Sequence, residues 1–362
     1  MNKLRYALIV LVSVSFFACE TDVDLNAEYK DITVVYGVLN PSDTTHYLKI
    51  NKAFLGDGNA NQLAADQSNF NYADGELEVK VEAFDENGAL KKSYSTVAGT
   101  VIRTVNEIPK DPGIFDNSSN VLYKFEESAI NRNYSYKTTI TNSGLDKEIT
   151  AETKIVGEAK VGEPVGSTKF KFYNGSVSNG TFSTVLIRIS PGQYVGRVSP
   201  ILVFNYIEHY DSISSGGKAP ERKRILMPLG ELNTSVSVGA LDWGIEGGTF
   251  FDNIRAGIPS SVPHLSHREL QKINMEILVA GDELSTYMEV NSPSTTVNQD
   301  KPNYTNIVNG TGIFSSREKV FWSQSQSETL GNISPNTISY LASMGLEFCF
   351  GHNATATNPC PN

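Results

Sequence analysis

Two cysteines near the end of the chain have the most reactive side chains of its globular part. Cys349 and Cys360 lie close together in sequence, with His352 between them. In an oxidising compartment such a pair most simply forms a disulfide that fixes the tail. The alternative is a metal site with His352, but two cysteines and one histidine fall short of the four ligands of a closed zinc site. We therefore predict a disulfide between Cys349 and Cys360.

The other histidines give no complete set of metal ligands. His264 and His267 are three residues apart, a spacing that would bring both onto one face of a helix. Pro263 precedes them, however, and no carboxylate completes the usual zinc spacing. We expect polar histidines in a loop at this position, and no metal site.

Motifs of common enzymes are also missing from the sequence. There is no Gly-x-Ser-x-Gly elbow and no phosphate-binding loop. The segment 57–61 begins like a calcium loop, but Gln62 and Ser68 stand where that loop needs Gly and Glu. Glu126 and Glu127 are sequence neighbours that a strand would point to opposite faces, and we expect them on a solvated surface. The sequence thus predicts a protein that is not an enzyme and needs no cofactor.

The first twenty residues have the pattern of an export signal with a lipid attachment site. Lys3 and Arg5 precede an apolar segment, 7–17, that is too short to span a bilayer comfortably as a helix. The residues before Cys19, Phe-Phe-Ala, resemble a bacterial lipobox, with Phe in place of the usual first aliphatic residue. We predict a signal peptide at 1–18 and acyl chains such as palmitate on Cys19. An ordinary signal peptide and an uncleaved anchor are the alternatives.

Charge excludes two classes of partner. The chain has 30 Lys+Arg and 40 Asp+Glu, and loss of Lys3 and Arg5 with the signal leaves 28 basic residues and a formal charge of −12. A nucleic-acid or anionic-membrane surface would need the opposite sign. No apolar run of membrane length follows Cys19, so the lipid is the predicted anchor.

Beyond an acidic tether that follows Cys19, at 19–30, the dominant pattern is β. Short segments alternate apolar and polar residues and end in turn residues, which is typical of antiparallel sandwiches. In the segment 76–85, we predict that Leu77, Val79, Val81 and Ala83 point inward. We also predict a hairpin of 134–142 with 147–156, and a strand within 222–232 that returns along 201–210. We predict a mainly β protein of two antiparallel β-sandwich (Ig-like) domains with a few short helices. The predicted domains are 31–157 and 168–350, and 351–362 is a C-terminal tail.

Three later segments allow a helix. We predict a helical turn or two from Ser266 and then a strand from about Ile273, because the residues from there onward alternate. A second short helix is predicted within 281–296, where Asp282 and Glu283 suit a first turn. The segment 336–344 fits a short helix or a strand.

One motif near the end of the sequence carries a family resemblance. Its residues are Asn306, Ile307, Gly310, Gly312 and Phe314. They resemble a stretch of Bacteroidota outer-membrane lipoproteins classed as domain of unknown function 4249, except that Ser315 stands where Gly is common. The acidic tether and the opening strand of the globular part are also similar to that family. The resemblance implies an outer-membrane lipoprotein of unknown biochemistry that is often encoded beside TonB-dependent receptors, and its motif is structural. Independently, glycines two positions apart suit a bulge or tight turn beside an aromatic ring.

These observations favour a non-enzymatic binding or accessory protein. We expect it to be lipid-anchored at the outer membrane, exposed at the cell surface, and associated with a TonB-dependent barrel receptor. The alternative is a stand-alone binder of a surface glycan or small nutrient. A hydrolase is a third hypothesis, with no nucleophile, acid pair or metal set to support it. Nucleic acid is not an expected partner.

Overall fold

The computed structural model describes residues 32–53, 66–111, 119–142, 144, 146–166, 168–234, 239–259, 261–292, 303–324, 332–351 and 358–361. The predicted signal peptide, Cys19, the predicted acidic tether, the 57–61 segment and His352 lie outside these ranges. Within them the protein is mainly β, with several antiparallel sheets and three short helices. No helix in these ranges is both long and apolar enough to cross a bilayer.

The first half of the chain forms eight strands, and buried side chains alternate with more exposed ones along several of them. They are β1 (Ile32–Leu39), β2 (Thr45–Ala53), β3 (Leu77–Phe84), β4 (Leu90–Ser95), β5 (Val101–Val105), β6 (Val121–Glu126), β7 (Ser135–Asn142) and β8 (Lys147–Lys154). The predicted alternation of β3 is confirmed, because Leu77, Val79, Val81 and Ala83 are all buried. The predicted hairpin between β7 and β8 is also confirmed by their antiparallel register.

These strands make a sandwich around one apolar core. The sheet β4-β3-β7-β8 faces β1, β2, β6 and β5 of the largest sheet. Leu48 from one sheet and Val79, Tyr136 and Ile140 from the other are completely buried in the same cluster. Side chains two apart on a strand share a face, so alternation of this kind fills the space between two sheets.

The second half adds eleven strands of very different lengths and three helices. They are β9 (Lys160–Glu163), β10 (Tyr173–Asn174), β11 (Thr181–Phe182), β12 (Thr184–Ser190), β13 (Val195–Tyr210), β14 (Glu221–Pro228), β15 (Leu232–Asn233), β16 (Leu241–Glu246), α1 (Gly247–Gly257), β17 (Leu265–Gly281), α2 (Asp282–Asn291), β18 (Thr311–Trp322), α3 (Pro335–Ser343) and β19 (Phe348–Cys349). The predicted return of β14 along β13 is confirmed, with Ile201 opposite Pro228.

A second apolar core lies under the long strands. It includes residues of β13 and β17, of the small sheet β16-β12-β9, and of α1 and α3. Phe172, Phe204 and Phe250 are completely buried there, and the rings of Phe172 and Phe250 stack with their centres 3.7 Å apart. Ring stacking adds to the stabilisation that burial of such large apolar surfaces gives.

One strand joins the two halves. The first residues of β18, Thr311–Ser316, pair in parallel with β1, and Arg317–Trp322 pair antiparallel with β17. The largest sheet therefore runs β14-β13-β17-β18-β1-β2-β6-β5. Ile307 and Phe314 belong to the first core although they lie late in the sequence. The division into domains at 31–157 and 168–350 stays a prediction, and β18 is the element that spans it.

The helical turn predicted from Ser266 is wrong. The segment from Leu265 is already strand and stays so to Gly281, because it pairs with β13 on one side and with β18 and β19 on the other. The hydrogen bonds of two neighbouring strands outweigh a local preference for helix. The strand predicted from Ile273 and the helix predicted within 281–296 are confirmed.

The 336–344 segment forms a helix, α3, and the residues before it explain the choice. The Ser334 side chain accepts a hydrogen bond from the Thr337 backbone N–H at 3.4 Å, and Pro335 occupies the first helical position. A serine cap followed by proline favours the start of a helix.

Candidate ligand-binding site

A hollow of about 550 Å³ lies where α2 crosses the outer face of β13, β17 and β18, beside the turn between β1 and β2. Its floor is apolar and comes from Leu278, Ala280, Leu284 and Met288. Leu278 and Met288 remain 40% and 41% exposed, so the floor is open to a ligand. Charged side chains surround it: Asp43, Arg197, Arg317, Glu318 and Lys319. An apolar floor with a few charged groups around it is typical of small-molecule sites.

The start of α2 is fixed by polar contacts with β18. The Leu284 backbone N–H donates to Ser315 Oγ at 3.2 Å, and that hydroxyl donates to Glu283 Oε2 at 3.0 Å. Burial raises the pKa of Glu283. The hydroxyl group of Ser315, which replaces the glycine common in the resembled motif, thus helps to place the helix that makes one wall of the hollow.

The side of α2 is tied to β1 and lies against β13. The hydroxyl groups of Tyr36 and Tyr287 are 3.3 Å apart, and this contact, with burial, raises the pKa of Tyr36 to about 12. On the other side, a Cβ added to Gly196 would lie 2.8 Å from the Asp282 backbone. Glycine is needed at this position because a side chain would push α2 away from the strand.

Arg197 is a structural part of the wall. It is only 8% exposed, and its guanidinium lies 3.0 Å from Glu231 and donates to Ser285 Oγ at 3.4 Å. A buried cation needs such partners, because removal from water is costly. Its charge is therefore balanced within the fold.

Two more of the surrounding charges are also balanced. Lys319 lies 2.5 Å from Glu276. Glu318 accepts from both terminal nitrogens of Arg132, at 2.6 and 2.9 Å, and from the Ser42 hydroxyl at 2.8 Å. This two-point arginine–carboxylate contact crosses from the first half of the chain to β18 and holds that side of the hollow in place.

Arg317 and Asp43 differ from these groups. Both are exposed, and neither forms an ion pair with another residue in the described ranges. A free guanidinium beside an apolar floor can bind a carboxylate, sulfonate or phosphate group of a ligand whose remaining part is apolar. Asp43 adds an acceptor for a cationic or hydroxyl group. The arrangement suits binding.

His46, His209 and His264 each lie near a different acidic residue. His46 is buried; its Nε2 lies 3.3 Å from the Glu127 carbonyl oxygen, and burial lowers the pKa of the ring. His209 Nε2 is 3.0 Å from Glu269. His264 is a turn residue, as expected, with Nδ1 3.7 Å from Asp211.

His267 does not lie in a polar loop, and that expectation is wrong. It is part of β17, is 9% exposed and stacks on the His209 ring with the ring centres 4.4 Å apart. Cys349 and Cys360 have disulfide geometry, with Cα atoms 4.9 Å apart and Sγ atoms 2.03 Å apart. Donor atoms of His267 and both cysteines lie within 4.8 Å of one another, a grouping that the sequence did not suggest.

The expectation for Glu127 is also wrong. Glu126 is exposed, but Glu127 is only 3% exposed, with Lys92 Nζ 2.5 Å from its carboxylate and the Tyr136 hydroxyl donating at 3.0 Å. The two neighbours do point to opposite faces, as strand geometry requires, and one of those faces is the core.

The residues of the late glycine motif all make structural contacts. Asn306 Nδ2 donates to the Phe314 carbonyl at 2.7 Å, and its Oδ1 accepts from the Phe314 N–H at 3.0 Å. Ile307 is buried. A Cβ added to Gly310 would lie 2.7 Å from the Thr33 carbonyl oxygen, and one added to Gly312 would lie 2.0 Å from that of Val35. These contacts bring β18 against β1.

Comparison with known proteins adds little. No family model matches the chain, and no curated protein matches it. Among solved structures, one described as "Biofilm associated protein - BSP domain" is similar to this chain at 7% sequence identity, over 81% of this chain and 58% of that one, with a TM-score of 0.14. The chain thus spans less than two thirds of that protein's length. A similarity this low carries no argument about fold or function.

Proposed function

We propose that this protein is a non-enzymatic binding protein, anchored to the outer membrane by lipid on Cys19 and exposed at the cell surface. The signal pattern and the resemblance of the late motif to Bacteroidota lipoproteins support the location. The hollow beside α2 is the observation that carries the binding role. Its ligand has an apolar part, which contacts Leu278 and Met288, and an anionic group, which Arg317 binds.

The balance of charge supports an anionic ligand in spite of the acidic chain. Without the predicted signal peptide the chain has a formal charge of −12, and its long-range field repels anions, but this field is screened within about 8 Å at physiological salt. A guanidinium that directly contacts an anionic group of the ligand lies well within this screening distance, so its attraction is kept. Since Arg197 and Lys319 already have carboxylate partners, Arg317 is the cation that a ligand meets.

We also propose an accessory role beside a TonB-dependent barrel receptor. Leu226, Leu278 and Phe321 project from the outer face of the sheet formed by β14, β13, β17 and β18, and they are 45%, 40% and 72% exposed. Exposed apolar side chains grouped on one face are common in protein interfaces. Because the face adjoins the hollow, a receptor bound there would lie next to the ligand.

A binding titration tests the hollow. Anilinonaphthalene sulfonate has an apolar ring system and one anionic group, so its fluorescence should rise to saturation on the folded full-length mature chain. Loss of one charge-assisted hydrogen bond costs about 1.5 kcal/mol or more, so Arg317→Ala should weaken binding roughly tenfold. Met288→Asp should weaken it as well. Arg222→Ala removes an arginine that is also exposed but lies on β14, away from the hollow, and should leave the affinity unchanged.

Two results would contradict the proposed site. One is no saturable fluorescence with the wild-type chain. The other is equal binding by Arg317→Ala and Arg222→Ala, which would place the dye elsewhere. Binding of a neutral polysaccharide that is insensitive to Arg317 would favour the stand-alone glycan binder instead.

A further inference from the structure

A second cluster of chemically active side chains lies at the other end of β17, away from the hollow. Its members are His267, Cys349 and Cys360, whose donor atoms all lie within 4.8 Å of one another. All three residues are buried, at 9%, 5% and 6% exposure. The cysteines are joined as a disulfide, so the cluster is a redox-sensitive pair with a histidine beside it.

The backbone holds the two cysteines together without help from the sulfur–sulfur bond. Strand β19 pairs in parallel with β17, with Cys349 opposite Glu269. The Cys360 N–H donates to the Gly351 carbonyl at 2.7 Å, and the Phe350 N–H donates to the Asn358 carbonyl at 2.8 Å. These hydrogen bonds keep the two backbone segments adjacent when the disulfide is reduced, and the two sulfur atoms then move apart to the distance between separate thiols.

The His267 ring is also held in position. Ser266 Oγ is 3.1 Å from Nδ1, and the His209 ring stacks on the other side. A hydrogen-bond partner on one ring nitrogen is the usual way that proteins orient a histidine whose other nitrogen binds a metal. The nitrogen so assigned is Nε2, which is buried.

We propose that these three residues form a binding site for Zn²⁺ when the disulfide is reduced. Zn–S bonds of about 2.3 Å and Zn–N bonds of about 2.0 Å place tetrahedral donor atoms roughly 3.5–3.8 Å apart. The two sulfur atoms can reach that separation only after the bond between them is broken, and the donor atoms of the three residues already lie within 4.8 Å of one another. Thiolate and imidazole donors suit zinc, whereas hard cations such as Mg²⁺ need oxygen ligands. Three protein ligands leave a fourth position for water or another molecule.

The disulfide must be reduced before the two cysteines can bind Zn²⁺. A dithiol reductant transfers two electrons and two protons to the disulfide, gives two thiols, and itself becomes a cyclic disulfide. Zn²⁺ then binds both sulfurs and releases the two thiol protons. The disulfide and the bound metal are thus mutually exclusive. This proposal is independent of the ligand that binds in the hollow.

The experiment uses the full mature chain in its oxidised form and after reduction with a phosphine, under argon. Zn²⁺ is added in competition with a chromophoric chelator. The reduced chain should bind one Zn²⁺ and the oxidised chain none. Co²⁺ in place of zinc should give the intense sulfur-to-cobalt charge-transfer absorption of a tetrahedral thiolate site. A reduced chain that keeps its circular dichroism spectrum but binds no Zn²⁺ would overturn the proposal.

Variants separate His267 from the other histidines. His267→Ala should weaken zinc binding by more than the roughly 10–100-fold that loss of an outer partner costs, and Ser266→Ala should weaken it within that range. His264→Ala and His352→Ala should bind as the wild type does. If His352→Ala loses zinc and His267→Ala keeps it, the third ligand is His352 and the assignment is wrong.

X-ray absorption at the zinc edge of the wild-type chain tests the zinc ligands without a variant, and so remains informative if a His267 variant does not fold. The reduced wild-type chain should show two sulfur neighbours together with nitrogen or oxygen neighbours. A shell of oxygen and nitrogen alone would also overturn the proposal.

Discussion

Glu127 shows how individual polar residues are accommodated in the first core. Its carboxylate lies beside Lys92 and accepts from Tyr136, while its backbone carbonyl contacts the ring of His46. Burial is the main cause that raises the pKa of Tyr94, to about 12, and the nearby Glu127 carboxylate adds to it. Each partner satisfies a polar atom that would otherwise cost free energy when it is buried. These contacts stabilise the fold.

His46 should make stability depend on pH. Because burial lowers its folded pKa below the ordinary value of 6.5, the unfolded chain binds the proton more tightly. The contribution of neutral His46 to the free energy of unfolding should therefore be fully present above a pH of about 6.5. It should be lost as the pH falls from there toward the folded pKa. Urea unfolding at a pH of about 7.5 and about 5.5 should show a larger loss for the wild type than for His46→Gln, which cannot be protonated.

His264→Gln is the matched control for this measurement, because the His264 side chain is half exposed. It should lose as much stability as the wild type between the two pH values. A wild-type loss equal to that of His46→Gln would show that His46 does not cause the pH dependence.

At the scale of elements, alternation along single strands was readable from the sequence, and contacts between distant strands were not. The pattern of β3 predicted its buried residues because one face of a sandwich strand always faces the core. Nothing in β1 or β18 indicates that they pair, since residues so far apart in sequence are brought together only by the whole fold. The hollow depends on that pairing, on α2 and on β13, and so could not be predicted.

Three wrong predictions have the same physical origin. The segment after Ser266 has both helical and strand character, and its pairing with β13 decided the outcome. His267 and Glu127 are polar and were expected near solvent, but each has partners that only the tertiary structure brings to it. In contrast, the proximity of Cys349 and Cys360 followed from their closeness in sequence.

The contact of β18 with β1 should be sensitive to one methyl group. Gly312 has a φ of +113°, and a Cβ there would lie 2.0 Å from the Val35 carbonyl oxygen. Gly312→Ala should lower the free energy of unfolding by about 3 kcal/mol, from backbone strain together with overpacking. Gly239→Ala, where a Cβ meets nothing within 4 Å, should change it by less than about 0.5 kcal/mol. Chemical denaturation measures the free energy of unfolding of both variants. Similar losses for the two would contradict a close contact of β18 with β1 at Gly312.

The outer sheet face should mediate the association with a receptor. Phe321→Asp replaces a ring that is 72% exposed, so the fold should tolerate it, whereas an apolar interface should not. In pull-downs from detergent-solubilised outer membranes, the wild-type chain should co-purify a barrel protein and Phe321→Asp should lose it. Val97→Asp changes an apolar residue that is 77% exposed in the other half of the chain and should retain it. A barrel retained equally by all three would rule out this face as the interface.

At the scale of the whole molecule, the proposed lipid anchor, tether, sheet face and hollow each have a separate role. In the proposal, the lipid on Cys19 would hold the chain at the membrane, and the acidic tether would separate the sheets from the lipid surface. The formal charge of −12 expected after loss of the predicted signal would disfavour contact of the globular part with anionic lipid, which would leave the sheet face and the hollow available to a partner and a ligand. The two apolar cores, connected by β18, give this surface a rigid support.

Protease treatment of intact cells tests most directly whether the protein is a surface-exposed lipoprotein. Cells are incubated with a protease that does not cross the outer membrane, and the protein is followed by immunoblot with a periplasmic protein as the control. The proposal predicts that the wild-type chain is digested while the control remains intact, and that Cys19→Ser is released or protected. A wild-type chain that is untouched until the cells are lysed would contradict the surface location.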